Sequence, residues 1–386
     1  MKNGLLMVLN TNMLLDLPRN SCTYKCAGTK FFRLASSKIL GEWGSNLQNV
    51  EKEMRGIYIP DGFRPELRDK CLAWLLTQDN SLFTEEELVS LRIFNQSDQS
   101  GAEALIVAYL CRPGNFRDLF LNKVKPHVFV ALHVFPQVWQ KKMNESGGSV
   151  RCDIKELLNT PIPKIRDNPF WPELDALIKS SDNWIAKERY YFMAKAICHM
   201  SNYGGKYGAL QMDVLAKSRG RIVISKDDAI RFMDIYHGLF PEIHEWHQEV
   251  RRQVEETNIL FNLQGFPIEF TTKNRTEQFW KEVFSSVPQS SVASITNMGY
   301  TDMQNYIEDT RKKWDMLANT HDSMMSQSPL LDCRECQEKM QSCLERELIS
   351  PRGDKFKMRS EVVSGFNWAP YKKDKNELGL REIKWN

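Results

Sequence analysis

The sequence predicts an α+β fold in which a helical domain is inserted into a domain of mixed strands and helices. Three observations predict it. Arg92 to Ser97 (RIFNQS) reads as a strand that ends at Asp98. Met316 to Thr320 and Ser323 to Ser328 read as two short strands on either side of His321-Asp322. Between these strand-bearing ends, from 115 to 260, apolar residues recur mostly at helical spacing.

In chain order, residues 1–17 are expected to form a helix, and Pro18 to Lys38 irregular structure with short strands. An early Pro65, with Leu67, Leu72, Leu75 and Leu76 at helical spacing, predicts one helix over 64–91. Ala102 to Leu110 is a helix that Arg112-Pro113-Gly114 breaks. A soft connector is expected at 144–149 (NESGGS) and a Pro-rich one at 160–171. The segment 227–258 predicts a long amphipathic helix divided near Gly238-Leu239-Phe240-Pro241, with Asp227-Asp228 at its favourable N-terminal end. Residues 259–271 alternate as a hairpin around Gln264-Gly265. A helix over 289–312 precedes the His321-Asp322 strands, a helix over 332–347 follows them, and an irregular basic tail ends the chain.

At 386 residues the chain is long enough for two or three domains and a sizeable core. A net charge of +3 does not by itself point to nucleic acid, so any such partner requires Lys and Arg concentrated in one cleft. Nine Cys at irregular spacings, with no secretory signal, fit reduced thiols in a cytosol. Cys333-x-x-Cys336 and Cys343 have no fourth ligand nearby and read as surface and core thiols rather than zinc ligands. The histidines of His244-Glu245-Trp246-His247 are three apart and read as a polar helix face. The apolar run at the N-terminus is interrupted by Asn10 and Asn12 and is too short to span a bilayer. A soluble cytoplasmic protein without a membrane partner is expected.

Three constellations carry the chemistry. The first is Asp98-Gln99-Ser100-Gly101-Ala102-Glu103, the second Lys195, His199 and Tyr203-Gly204, and the third His321-Asp322-Ser323. Lys195, His199 and Tyr203 fall at i, i+4 and i+8, along one side of a helix and over about 12 Å at about 1.5 Å per residue. Singly, each has an ordinary reading: a turn aspartate, an acid at a helix start, an amphipathic helix with a core tyrosine. In this order they resemble motifs A, B and C of the family A DNA polymerases, bacterial DNA polymerase I and its phage relatives. The likeness runs over about 30–370. Gly28 to Ser37 resembles the family's GT-x-T-G-R-L-S-S segment, and Asn46-Leu47-Gln48-Asn49 followed by Arg55 its NLQN-x-R element. Pro126-His127, Phe240-Pro241, Gly265, Pro288-Gln289-Ser290-Ser291 and Gly365-Phe366-Asn367-Trp368 resemble later elements.

The resemblance implies a right-hand polymerase: an antiparallel-sheet palm over 28–115 and 273–386, helical fingers over 116–272, and a thumb or helix remnant over 1–27. It implies template-directed addition of deoxynucleotides to a primer 3′ end, in DNA replication or repair, within a bacterial or phage-infected cell. Asp98 and Asp322 would hold two Mg²⁺ ions, with Mn²⁺ as a substitute. Lys195 would meet the triphosphate, and Glu103, His199 and Tyr203 the rest of the dNTP, Glu103 by excluding a 2′-hydroxyl. Arg33, Asn46, Gln48, Asn49, Gln289 and His321 would contact the DNA primer–template.

Some positions depart from the family pattern. Tyr191 stands where an arginine is usual, four residues before Lys195; Arg189 lies about 200° further round the helix, and Lys187 is another cation nearby. Phe31-Phe32, Phe266 and Ser323 also differ from the usual residues, and 64–91 is an extra segment. Only some 27 residues precede the Gly28 segment, so the expectation is a palm and fingers alone: one half of a split polymerase gene whose thumb and exonuclease sit on a separate chain, a truncated frame, or a minimal enzyme that gets its thumb elsewhere. The alternative reading is a non-catalytic or partner-dependent DNA-binding subunit of a split polymerase. A single-subunit RNA polymerase is disfavoured by Glu103.

Overall fold

The computed structural model describes residues 23–25, 33–37, 48, 50, 52–99, 101–145, 153–182 and 189–385. The helix expected at 1–17, the stretch 28–32, Asn46, Asn49 and Lys187 lie outside the described residues. The chain divides into two compact units. The first comprises Met1–Ala102, Gln289–Ile349 and Lys355–Asn386, and the second Glu103–Pro288 and Ser350–Asp354.

The first unit begins with two short antiparallel strands, β1 (Thr23–Lys25) and β2 (Ala35–Ser37). The single helix expected over 64–91 is instead two helices, α1 (Arg68–Thr77) and α2 (Glu85–Ser90). The break lies in the Gln78-Asp79-Asn80-Ser81 run. Gln78 takes a left-handed φ of 54°, and the Asp79 carboxylate accepts from the Ser81 N–H at 2.9 Å, so local polar side chains outcompete the helix. Thr84 and Glu87 then restart it with a reciprocal capping box. Strand β3 (Arg92–Gln99) follows and ends beside Asp98, as the pattern predicts.

In the second unit the chain is almost wholly helical. Its helices are α3 (Ala102–Leu110), α4 (Asn115–Leu121), α5 (Pro126–Val134), α6 (Pro136–Glu145), α7 (Ile154–Asn159), α8 (Ile162–Ile165) and α9 (Trp171–Ser180). They continue with α10 (Tyr190–Asn202), α11 (Tyr207–Lys217), α12 (Lys226–Leu239) and α13 (Pro241–Thr257). Several open on a proline, whose missing N–H costs nothing in a first turn. Ser225 caps α12 by accepting from the Asp228 N–H at 3.0 Å, which places both aspartates in its first turn. Strands β4 (Ile259–Phe261) and β5 (Pro267–Glu269) form the expected hairpin. Helix α14 (Glu277–Thr310) starts a dozen residues before the sequence suggested and carries Pro288 inside it. The division between the units falls immediately after that proline.

His247 corrects the polar-face reading of α13. It is 6% exposed, its Nε2 lies 2.8 Å from the Asn202 carbonyl, and its ring stacks on Phe284 at 4.1 Å. Burial pushes this imidazole down to about 4, while the Asn202 bond works the other way. His127 is likewise held down to about 4, by burial first and by Lys195 second. Both values lie below the ordinary 6.5, so the unfolded chain binds more protons between those limits. Stability is therefore expected to fall as pH drops from about 6.5 towards 4, by about 3 kcal/mol for each histidine on full protonation. Thermal melts between pH 7.5 and 4.5 check this, and His247→Gln should flatten part of the dependence.

The first unit resumes with β6 (Asp315–Thr320) and β7 (Ser323–Pro329), then α15 (Cys333–Leu344). The tail, expected to be irregular, forms strands: the pair β8 (Glu347–Ile349) and β9 (Lys355–Lys357), then β10 (Ser360–Gly365), and the pair β11 (Asn367–Pro370) and β12 (Gly379–Leu380). Strand β10 completes an antiparallel sheet in the order β10-β3-β7-β6. It shows no alternation because its buried face is polar: Ser364 donates to Asn95 and accepts from the Gln337 amide at 2.6 Å. Cys333 and Cys336 are buried among these groups, with Cys333 Sγ 3.4 Å from Asn95 Oδ1. Burial holds the Cys336 thiol up at about 12. Trp74, Leu91, Ile93, Leu330 and Phe366 make the adjoining apolar core.

Candidate active site

Residues of the three constellations lie in both units. In the sheet unit, β3 and β7 are antiparallel with Asp98 opposite Ser323, so Asp98 and Asp322 stand side by side at adjoining strand ends. The Gln99 N–H donates to the Asp322 carbonyl at 3.1 Å and locks that register. Both aspartates are exposed, whereas Ser97, Gln99 and Ser323 are buried. Strand alternation explains the burial of Ser97 and Gln99: odd-numbered β3 residues face α14 and α15, as in Gln99 Nε2 to Thr296 Oγ1 at 2.8 Å. Ser323 instead shares the face of Asp98 and is covered by its bonds to Gln96 and Thr320.

The His321-Asp322 turn is tight. The Asp322 N–H donates to the Thr320 carbonyl at 2.9 Å, and His321 takes a φ of 66°. A non-glycine residue in this region is strained, and such strain persists where the surroundings hold it. Here Thr320 and Ser323 hydroxyls bond each other across the turn. Trp368 Nε1 donates to Gln96 Oε1 at 3.0 Å, and Gln96 Nε2 to Ser323 Oγ at 3.3 Å. Arg55 lies over the Trp368 ring at 4.7 Å, close enough to Asp98 to feel its charge.

Of the residues expected to meet DNA, Arg33 and Gln289 are half-buried and His321 sits in the turn just described. Gln48 is the most enclosed of these residues. It is 7% exposed, accepts from the Ser36 N–H at 2.9 Å and donates to the Asn319 carbonyl at 3.1 Å. Its amide ties β2 to β6 inside the unit. Glu361, opposite Asp98 on β10, is an acid that sequence alone did not single out, because only strand register reveals it. Among the described residues, no group of three His, Cys, Asp or Glu side chains converges as a metal-ligand set.

In the helical unit, Lys195 and His199 lie on α10, half-buried and exposed respectively. Tyr203 falls just past the helix end as its C-cap, so two rather than three of these side chains ride on the helix. It is 6% exposed, donates to Glu103 Oε2 and meets the His199 ring edge-on at 5.1 Å. Gly204 follows at a φ of 66°, where a Cβ would come within 2.7 Å of the Phe284 ring. Tyr191 is buried one turn before Lys195, and Arg189 donates to the Arg221 carbonyl at 3.3 Å. No helix among the described residues is long and apolar enough to cross a membrane.

Comparison with known proteins bears on this arrangement. Residues 184–370, which include the second and third constellations, match the model of DNA polymerase family A. The chain is similar to a solved structure of the POL domain of Pol1 from M. smegmatis in complex with DNA primer-template and dNTP. The TM-score is 0.61 at 17% identity, over 94% of this chain and 50% of that one. The chain thus spans about half the length of that solved chain, and at this identity the likeness is one of fold. Comparison with curated proteins finds no match. The mixed α+β architecture with its antiparallel sheet is similar to that of the Pol1 POL domain, and residues 184–370, just under half of the chain, match the family A DNA polymerase model.

Proposed function

We propose that the chain is a template-directed DNA polymerase, with the sheet unit as palm and the helical unit as fingers. The juxtaposition of Asp98 and Asp322, in a chain with a family A polymerase domain, carries this reading. In the reaction the primer 3′-oxygen attacks the α-phosphorus of a dNTP, and the bond to the pyrophosphate oxygen breaks. The two carboxylates are exposed oxygen donors, one near the end of β3 and one in the turn that leads into β7, a donor set that suits Mg²⁺, or Mn²⁺ in its place. Mg²⁺ bound there would supply activation of the hydroxyl and neutralisation of phosphate charge. Asp98 and Asp322 hold that site, and Lys195 offers a point charge to the departing pyrophosphate. His199 and Tyr203 position the nucleotide, and Arg33, Gln289 and His321 contact the primer–template. The work of such an enzyme is DNA replication or repair inside a bacterial or phage-infected cell.

Glu103 sets the sugar. Tied to the Tyr203 hydroxyl, its carboxylate is held in place to block a 2′-oxygen. Glu103→Ala is expected to lower discrimination against ribonucleotides by about 10- to 100-fold, the range one hydroxyl commands. Single-nucleotide incorporation with dNTP and NTP in parallel measures it.

The testing experiment is primer extension at low salt with Mg²⁺ and either dNTPs or NTPs. Extension with dNTPs alone supports the reading. Extension with NTPs would move it to an RNA polymerase. Absence of extension by folded protein that binds primer–template would favour a second reading, a non-catalytic or partner-dependent DNA-binding subunit. Tyr191 in place of a phosphate-binding cation favours that second reading.

A further inference from the structure

Lys195 already has partners. Its ammonium lies 2.5 Å from Asp182 Oδ2 and 4.7 Å from the centre of the Tyr191 ring. Each partner is held by contacts of its own. Ser181 is fully buried; its Oγ accepts from the Tyr191 N–H at 3.1 Å and donates to the Ile178 carbonyl at 2.6 Å. The residue immediately before Asp182 is thereby pinned to the first turn of α10, one turn from Lys195. Tyr191 in turn is buried with His127 edge-on to its ring at 5.9 Å.

His127 and Tyr191, which flank Lys195, are uncharged near neutral pH, while Asp175 and Lys125 act on those two rings. His127 is pushed down to about 4 by burial and by Lys195. Burial, and then Asp182, pushes the Tyr191 phenol up to about 12. Among the described residues, Lys195 is ion-paired with Asp182, and Tyr191 adds a π face where a second cation would help a polyanion. The pair is not sealed: the two side chains are 42% and 39% exposed, so either can be resolvated when the pair opens.

We propose that Asp182 is a resident counter-ion of the triphosphate site, holding Lys195 until a nucleotide displaces it. Asp182 thus sets nucleotide affinity rather than the rate of the chemical step. The proposal rests on the assignment of Lys195 to the triphosphate, and its test does not require chemistry. Binding of inorganic tripolyphosphate is measured by calorimetry at low salt for the wild type, Asp182→Asn, Lys195→Ala and the double variant.

Asp182→Asn is expected to bind about two- to fivefold more tightly than the wild type, the range an exposed ion pair commands. Lys195→Ala should bind more weakly, and the double variant should match Lys195→Ala because no cation remains to be released. Unchanged or weaker binding by Asp182→Asn overturns the proposal. So does equal tightening in the Lys195→Ala background, which would mark a general charge effect, and so does absence of binding by all four proteins. Failure of primer extension would sink the polymerase reading yet leave this cycle intact. Where extension works, Asp182→Asn should lower KM for dNTP and leave kcat unchanged.

Discussion

Asp322→Asn is expected to reduce primer extension by more than about 100-fold, beyond the loss seen when only a ligand's outer-shell partner is removed. Thermal stability should hold or rise slightly, because the change separates the two effects of this residue. Its backbone N–H and C=O close the turn and bond Gln99, and both survive in Asn. Its carboxylate is exposed at a chain position adjoining Asp98, which itself faces Glu361, so the substitution lowers a local excess of negative charge. Asp98→Asn should behave in the same way. Extension assays on both variants, with a melting curve for each, give the answer. Wild-type extension by either would show that its carboxylate holds no metal, and a collapsed melting temperature would trace the loss to unfolding.

Trp74→Ala should cost about 3–5 kcal/mol of stability, the range for emptying a buried indole site. Trp74 is 1% exposed, lies edge-on to both Phe366 and Trp385, and donates to Asn80 Oδ1 at 2.9 Å. It ties the segment 64–91 to the strands that carry Asp98 and the C-terminal tail. Urea denaturation of wild type and variant measures the loss. Trp74→Phe, which keeps most of the volume and gives up the hydrogen bond, should lie between them. A change below about 1 kcal/mol, an ordinary surface effect, would mean that the segment is an appendage and not part of the core.

Much of the local structure was legible beforehand because it is written in short-range periodicity. The strand ending at Asp98, the two strands around His321-Asp322, the division near Phe240 and the hairpin after it all rest on spacing and turn residues within a few positions. The misreadings share a cause. The 64–91 segment has helical leucine spacing throughout, yet Gln78 and Asp79 stop the helix through backbone and side-chain bonds that a periodicity count ignores. Strand β10 hides behind polar residues whose partners, Asn95 and Gln337, are far away in sequence. His247 looks polar in a string of letters and is apolar in its surroundings.

For the candidate site, sequence alone determined which residue types recur in which order: the two aspartates, Glu103, and the Lys195-His199-Tyr203 series. That order survives as text because each motif is a contiguous or helically spaced set. Tertiary structure alone decided what each side chain is free to do. Strand register sets Asp98 beside Asp322 and opposite Glu361, and packing places the Gln48 amide between Ser36 and Asn319. The bond from Tyr203 to Glu103, and Asp182 on Lys195, join residues 100 and 13 positions apart. No local propensity encodes such pairs, because they form only when separate elements pack and bring their polar groups within bonding distance.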